Sequence, residues 1–252
     1  MSDESELLKK RFVELAKKSY NCGIYTFTDF LGLAEQSLFD SVKNDTRGIP
    51  YTIFGGTDGC ERVMVRFGSE EECGYDMPFP IATVKFSPVS PKFSDKLTHR
   101  DFLGAILNLG IERKLVGDIV IRDNVGYVFL RDDIAEYVRG ELSRIKHTDV
   151  RAELIDELPE GDLYKTETRR VQANGERLDA IVAKVFCLSR EDAQRLFVKG
   201  FVFIGGRETQ NTSVIPKVGD VISVRGYGRM IYRGYDSLTR KGKLNILVDV
   251  YV

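Results

Sequence analysis

The hydrophobic rhythm of residues 81–155 restricts the fold more than any other feature of this 252-residue chain. Ile81–Phe86 alternates with period two, as a strand does. Thr98 reads as the cap of a helix running to Leu109, with Asp101 at the reciprocal capping position and Gly110 as the stop. Asp118–Ile121 and Tyr127–Leu130 read as strands around a hairpin at Arg122-Asp123-Asn124. A helix follows over Asp132–Arg144, with Ile134, Ala135, Val138 and Leu142 on one face, and Val150–Ile155 is a last strand. The order β-α-β-β-α-β is the split βαβ, ferredoxin-like plan, which RNA-recognition modules share with many unrelated proteins. Tyr127 and Phe129 fall on its expected central strand and read as core rather than as platforms for bases.

Before this segment, residues 3–19 carry Leu7, Leu8, Phe12, Leu15 and Ala16 at helical spacing, stopped by Asn21-Cys22-Gly23. A second helix is expected from about 29 to 43, opened by Thr28 or Asp29. Tyr51–Phe54 and Arg62–Phe67 read as strands joined by the glycine-rich turn 55–59. After it, the acidic residues 156–168, with Pro159 and Gly161, read as a connector.

Charge divides the chain. Residues 1–167 hold 22 Lys and Arg against 30 Asp and Glu, net −8; residues 168–252 hold 15 against 8, net +7. A basic third on an acidic two-thirds points to an anionic polymer as partner, or to a solvated charged face. No apolar run approaches the ~18–20 residues of a membrane-spanning helix, and the opening MSDESELLKK has no apolar core of a secretory leader. A cytoplasmic protein without a membrane partner is expected. The four cysteines lie far apart with no CxxC and read as free thiols, and two histidines are too few for imidazole-based metal chemistry. No metal or cofactor is expected.

In the basic third, Arg177–Val185 reads as a short helix with Leu178, Ile181, Val182 and Val185 on one stripe. Ser189 caps a second helix, Arg190–Lys199, with Asp192 in capping-box position and Gly200 as stop. Strands are expected at 202–204, 221–225 and 246–251, with turns at Gly205-Gly206 and 218–220 and a bend at 226–229. Arg190, Arg195, Lys199 and Arg207 can line this two-helix platform as a basic ridge, extended by Arg225 and Arg229 at the sheet edge. Guanidinium groups pair bidentately with phosphates or stack on bases. Arg177 is either part of the ridge or a structural partner of Asp179 or Asp220.

RLD at 177–179, SRxxA at 189–193, KGxV at 199–202 and VGDxIxVRGxGR at 218–229 resemble the ribosomal protein S-four type RNA-binding domain, or alpha-L motif. One departure is Gly205-Gly206 where that domain usually has Asn-Gly. Over nearly the whole chain, THRDFLGAILNLGIERKLVGDI at 98–119, the GG…ER stretch at 55–62 and the tail GRMIYRG…TRKGKLNI at 228–246 resemble the bacterial YlmH family. The resemblance implies a non-enzymatic protein that binds rRNA or tRNA on the large ribosomal subunit and acts with peptidyl-tRNA in quality control of stalled nascent chains; a monomer is the default expectation. The residues expected to contact RNA are Arg177, Ser189, Arg190, Arg195, Lys199, Arg207, Arg225 and Arg229. The expected architecture is α+β: a small N-terminal α/β unit (1–74), a ferredoxin-like, RRM-like middle domain (75–160) and a C-terminal alpha-L RNA-binding domain (168–252).

Two other classes are weighed against this. An RNA-modifying enzyme would use the basic module only for targeting, but no P-loop, HExxH or GxSxG is present. His99, Arg100 and Asp101 are adjacent on a helix and point ~100° apart, so they do not converge on one atom. A protein–protein adaptor, such as a cell-division protein, would dock through the acidic part.

Overall fold

The computed structural model describes residues 3–159, 163–240 and 242–251. They fall into two compact units divided between residues 163 and 164. In the first unit, α1 (Asp3–Cys22) is followed by β1 (Thr26–Phe27), α2 (Leu33–Ser41), β2 (Tyr51–Phe54), β3 (Met64–Phe67) and the short α3 (Glu70–Cys73). Strands pair antiparallel in the order β1-β3-β2. Phe12, Ala16, Phe39, Val65 and Phe67 fill the core between helices and sheet.

Helix α2 starts later than the sequence suggests, and the cause is local. The Thr28 hydroxyl accepts from Val65 N–H at 2.9 Å, and Leu31 pairs with Val63, so residues 28–31 belong to the sheet. Gly32 becomes the cap, donating its N–H to the Glu35 carboxylate at 2.6 Å.

The middle segment contains β4 (Ile81–Pro88), α4 (His99–Asn108), β5 (Val116–Arg122), β6 (Val125–Arg131), α5 (Asp132–Glu141), β7 (Arg144–Ile145) and β8 (Thr148–Ile155). The sheet order is β5-β6-β4-β8-β7, all antiparallel, which is the split βαβ arrangement with a short extra edge strand. Helix α5 ends at Glu141 rather than Arg144 because Arg144–Ile145 turns back on β8 through Lys146, at φ 57°. Phe86, Val128 and Leu130 meet Phe102, Ile106 and Val138 from the helices in one core.

The sequence reading separates 1–74 from 75–160, whereas in the structure both belong to one unit. The join is polar and specific. Asp118 accepts from the backbone N–H of Glu61 at 2.7 Å and of Arg62 at 2.9 Å. The Arg62 guanidinium donates to the carbonyls of Val116 (2.9 Å), Phe30 (2.9 Å) and Arg113 (3.3 Å). Arg113 reaches the same Val116 carbonyl, and burial together with Arg62 pushes it down to about 10, so it stays charged at neutral pH. Arg131 of β6 pairs with Asp29 at 2.9 Å. Beside this join, the turn 55–59 lies on the middle sheet. A Cβ on Gly56 (φ 108°) would come within 2.3 Å of the Phe129 ring, so only glycine fits there.

The second unit begins with β9 (Thr166–Ala173), α6 (Leu178–Val185) and α7 (Arg190–Val198). It continues with β10 (Val202–Ile204), β11 (Arg207–Glu208), β12 (Val221–Val224), β13 (Gly228–Leu238) and β14 (Leu244–Tyr251). One antiparallel sheet runs β11-β10-β12-β13-β14-β9. Ile222, Val224, Met230, Ile246 and Val248 meet Ile181, Val182, Ala193 and Phe197 of the helices. The expected connector holds over 156–159 and 163–165, which form neither helix nor strand; residues 166–168 instead open β9, which pairs along its full length with β14, and 160–162 lie outside the described residues. Gly205-Gly206, at φ 55° and 81°, make the two-residue hairpin between β10 and β11, a turn that requires positive φ at both central positions. The four cysteines are free. Among the described residues, no helix is long and apolar enough to cross a membrane.

Arg62→Met keeps the volume but leaves the Phe30 carbonyl without its side-chain donor and the Val116 carbonyl with Arg113 alone. Urea unfolding followed by circular dichroism is expected to show a loss of about 2–3 kcal/mol relative to the wild type.

Candidate nucleic-acid interface

The centre of the candidate site is the carboxylate of Asp179, in the first turn of α6 and with no solvent exposure. Its Oδ1 accepts from Arg177 Nε at 3.1 Å. Its Oδ2 accepts from Arg177 Nη2 at 3.2 Å, Arg190 Nε and Nη2 at 3.3 Å each, and Gln194 Nε2 at 3.0 Å. Two guanidinium groups and one amide therefore converge on one buried acid, and they come from the start of each helix. The arginine side chains stay 44% and 55% exposed, so their outer edges remain open to a ligand. Two cations sharing one anion leave a positive charge at this point of the surface.

Burial alone would raise the Asp179 carboxyl, but the Gln194 hydrogen bond and the charges and bonds of Arg177 and Arg190 outweigh it and hold it below its ordinary value of 3.8. The backbone supports the same geometry. Leu178 N–H donates to Val214 O at 2.8 Å and Asp179 N–H to Thr212 O at 3.2 Å, so the loop after β11 satisfies the first turn of α6. At α7, the Ser189 hydroxyl accepts from Asp192 N–H at 3.0 Å and lies 2.6 Å from the Asp192 carboxylate. Ser189 thus sets where Arg190 emerges; its own oxygen is engaged in capping.

The other expected contacts are spread more widely than a single ridge. Arg195 is tied to Glu191 at 2.5 Å and Asp192 at 3.4 Å, which neutralise it. Lys199 is the exposed C-cap of α7, and among the described residues it makes no ion pair. Arg207 is exposed on the outermost strand, β11. Arg225 lies over the Phe201 ring at 5.4 Å, with its N–H on the Phe201 carbonyl at 2.9 Å.

Arg229 sits on the opposite side of the sheet from α6 and α7. It is opposite Ser223, while the adjacent pair Ile222 and Met230 faces the helices. Its guanidinium lies over Tyr251 at 4.2 Å and Tyr164 at 4.9 Å. Strand alternation is the reason the ridge divides: a one-residue step from Met230 to Arg229 reverses the face. Other cations on that side are neutralised, Arg170 by Asp236 and Arg233 by Asp249.

The sequence reading missed Gln194 as a third ligand of Asp179, although its position four residues after Arg190 on the same helix stripe was a usable signal. It also missed the tyrosine pair around Arg229, which nothing local in the sequence announces. In the middle domain, Tyr127 and Phe129 are 7% and 0% exposed, in keeping with their reading as core. Asp101 accepts from the Thr98 N–H at 2.8 Å and lies 2.7 Å from its hydroxyl, so it serves as a helix cap.

Comparison with known proteins adds to this geometry. Residues 78–157 match the family model described as "Putative RNA-binding domain in YlmH". The chain is 27% identical over 233 residues to "Ribosome-associated protein quality control protein P2" of Bacillus subtilis (strain 168), covering 88% of this chain and 86% of that protein. A solved structure, "Cell division protein ylmH from Streptococcus pneumoniae", aligns at 24% identity over 62% of this chain and 93% of its own, with a TM-score of 0.49. The matched middle segment defines an RNA-binding class of protein. Residues 78–157 are thus similar to the YlmH-type domain, and most of the chain is similar to the Bacillus protein.

Asp179→Asn is expected to lower stability by about 1–3 kcal/mol, since the guanidinium groups it releases are half exposed and water resolvates them. Because the folded carboxyl titrates below its unfolded counterpart, the contribution is fully present above the unfolded value near 3.8 and disappears as pH falls through the folded one. Thermal unfolding of the two proteins should therefore differ by a constant margin from pH 7 to 5, and the margin should narrow below pH 4.

Proposed function

We propose that this chain is a non-enzymatic RNA-binding protein that holds structured ribosomal or transfer RNA on the large ribosomal subunit. In this reading it acts in quality control of stalled nascent chains, as a monomer in the cytoplasm, without a membrane partner. The name of the Bacillus relative supports the ribosomal setting, and the family of residues 78–157 supports RNA as ligand. The observation that carries the proposal is the Arg177–Asp179–Arg190 cluster: two guanidinium edges fixed in place by a carboxylate that has no contact with solvent. Fixed guanidinium groups bind phosphate with less loss of side-chain freedom than mobile ones. Lys199 at the far end of α7 and Arg225 beside Phe201 extend the positive surface. Arg177, Arg190, Lys199 and Arg225 are proposed as the principal contacts, with Arg195, Arg207 and Arg229 as secondary ones and Ser189 as the residue that positions Arg190.

The test is gradient sedimentation of the tagged full chain from lysate at several salt concentrations, with sequencing of crosslinked RNA. Wild-type protein is expected in the large-subunit fractions with crosslinks to ribosomal or transfer RNA. The logarithm of affinity should fall linearly with the logarithm of salt, with a slope of about −0.7 to −0.9 per phosphate neutralised. The double variant Arg190→Glu with Lys199→Glu should lose at least tenfold in affinity. A flat salt response, or crosslinks to neither RNA class, would sink the proposal.

A further inference from the structure

At one end of the middle domain, the connection between β4 and α4 carries Phe93 almost entirely in water, at 88% exposure, next to Val89 at 59%. The Phe93 ring makes no ring contact among the described residues. Such exposure of a large aromatic on a floppy loop would be unremarkable, but this loop is held from three sides.

Pro91–Phe93 form one tight 3₁₀ turn, closed by Phe93 N–H on Ser90 O at 3.1 Å. The Asn124 amide donates to Ser94 Oγ at 3.0 Å and to Asp95 O at 2.9 Å, and its oxygen accepts from Leu97 N–H at 2.9 Å. Asp95 N–H donates to the buried Thr148 hydroxyl at 2.9 Å, and Val89 N–H to Asp149 O at 2.9 Å. The two turns that supply these partners contain three non-glycine residues in the left-handed region: Asp123 (φ 53°), Asn124 (φ 63°) and Lys146 (φ 57°). Asp and Asn suit the two positive-φ positions of the 123–124 hairpin, which fixes that turn locally, while Lys146 is a less common occupant of the left-handed region.

The charges around the ring are sorted. Asp149 pairs with Arg144 at 3.7 Å, while Asp95 accepts from His147 N–H at 3.3 Å and Asp101, which feels the Lys146 charge, accepts from Thr98 N–H. Lys92, Lys96 and Lys146 are exposed, and among the described residues none makes an ion pair. A held, water-facing aromatic with exposed lysines at positions 92 and 96 of its own loop and at 146 on the turn that braces it is the kind of surface that binds a nucleotide whose base is out of the helical stack: the ring takes the base, the cations take the adjoining phosphates.

We infer that Phe93 is a base-stacking residue, with Lys92, Lys96 and Lys146 holding the phosphates beside an unpaired nucleotide of the bound RNA. This rests on the RNA-binding reading above and gives the middle domain its own contact. That contact lies away from the Tyr127–Phe129 face of the sheet, whose aromatic rings are buried. The arrangement is pre-formed, so ordering the loop subtracts little from the affinity.

The chain contains no tryptophan, so Phe93→Trp installs a single indole reporter at the loop. Phe93 is nearly fully exposed, and both Phe93→Trp and Phe93→Ala should fold as the wild type does, as checked by circular dichroism. Titrating the full-length Phe93→Trp protein with purified ribosomal RNA should quench its emission, while a short blunt-ended RNA duplex should leave it unchanged. Phe93→Ala should bind ribosomal RNA roughly tenfold more weakly, and Phe93→Trp should retain wild-type affinity. If wild type and Phe93→Ala bind ribosomal RNA equally and the indole does not respond, the stacking role is wrong while the RNA-binding reading stands. An indole that responds only to the ribosomal protein fraction makes the loop a protein contact and overturns the inference. A wild-type chain that binds no RNA removes both readings.

Discussion

A carboxylate excluded from water is costly unless each of its oxygens is matched, and in the second unit that requirement organises the candidate surface. Arg177 matches both oxygens of Asp179 from the start of its own helix, and Arg190 and Gln194 add three further donors to Oδ2 only when α7 lies beside α6. Helix packing and cation placement are therefore one event. The energy that fixes the guanidinium groups is spent in folding, so the proposed polyanion would meet donors whose outer edges are already exposed. This also explains why opposite charges at the site do not argue against an anionic ligand: the acid is interior and the bases face water.

The first unit solves a different problem, the attachment of a three-stranded α/β segment to a ferredoxin-like sheet. It uses a second carboxylate, Asp118, turned toward backbone N–H groups, and a guanidinium, Arg62, turned toward backbone carbonyls. The two residues exchange donors and acceptors with main chain rather than with each other. That geometry fixes the glycine-rich turn 55–59 against the middle sheet. It covers Phe129, a ring on the sheet face that relatives of this plan leave open for bases. An RNA contact of the middle domain, as inferred above, would then come from its ends and loops.

The legible part of the fold was the part where periodicity and caps agree. The β4–β8 pattern with its two helices, the Ser189 cap and the hairpin at Gly205-Gly206 all follow from local chemistry. Strand β9 was not legible: its sequence TETRRVQA has apolar residues only at Val171 and Ala173, and it becomes a strand because β14 offers an edge. The start of α2 was hidden for a related reason, since Thr28 serves as a good cap or as a sheet ligand, and only the position of Val65 decides. At the site, the helix-borne cations were readable because helical spacing constrains them. The face of Arg229 was not, because it depends on where the strand begins after Gly228. The polar join at Arg62 stood out in the sequence only as a similar motif, without a role that local spacing could reveal.

Arg229 lies between Tyr164, the first residue of the second unit, and Tyr251, near the end of its last strand. The polypeptide thus enters and leaves that unit at the same place, on neighbouring strands β9 and β14 fastened by one cation between two rings. A fold whose two ends are clasped together is a portable cassette: it can be spliced into a host loop, or relocated along a chain, without threading through its own core.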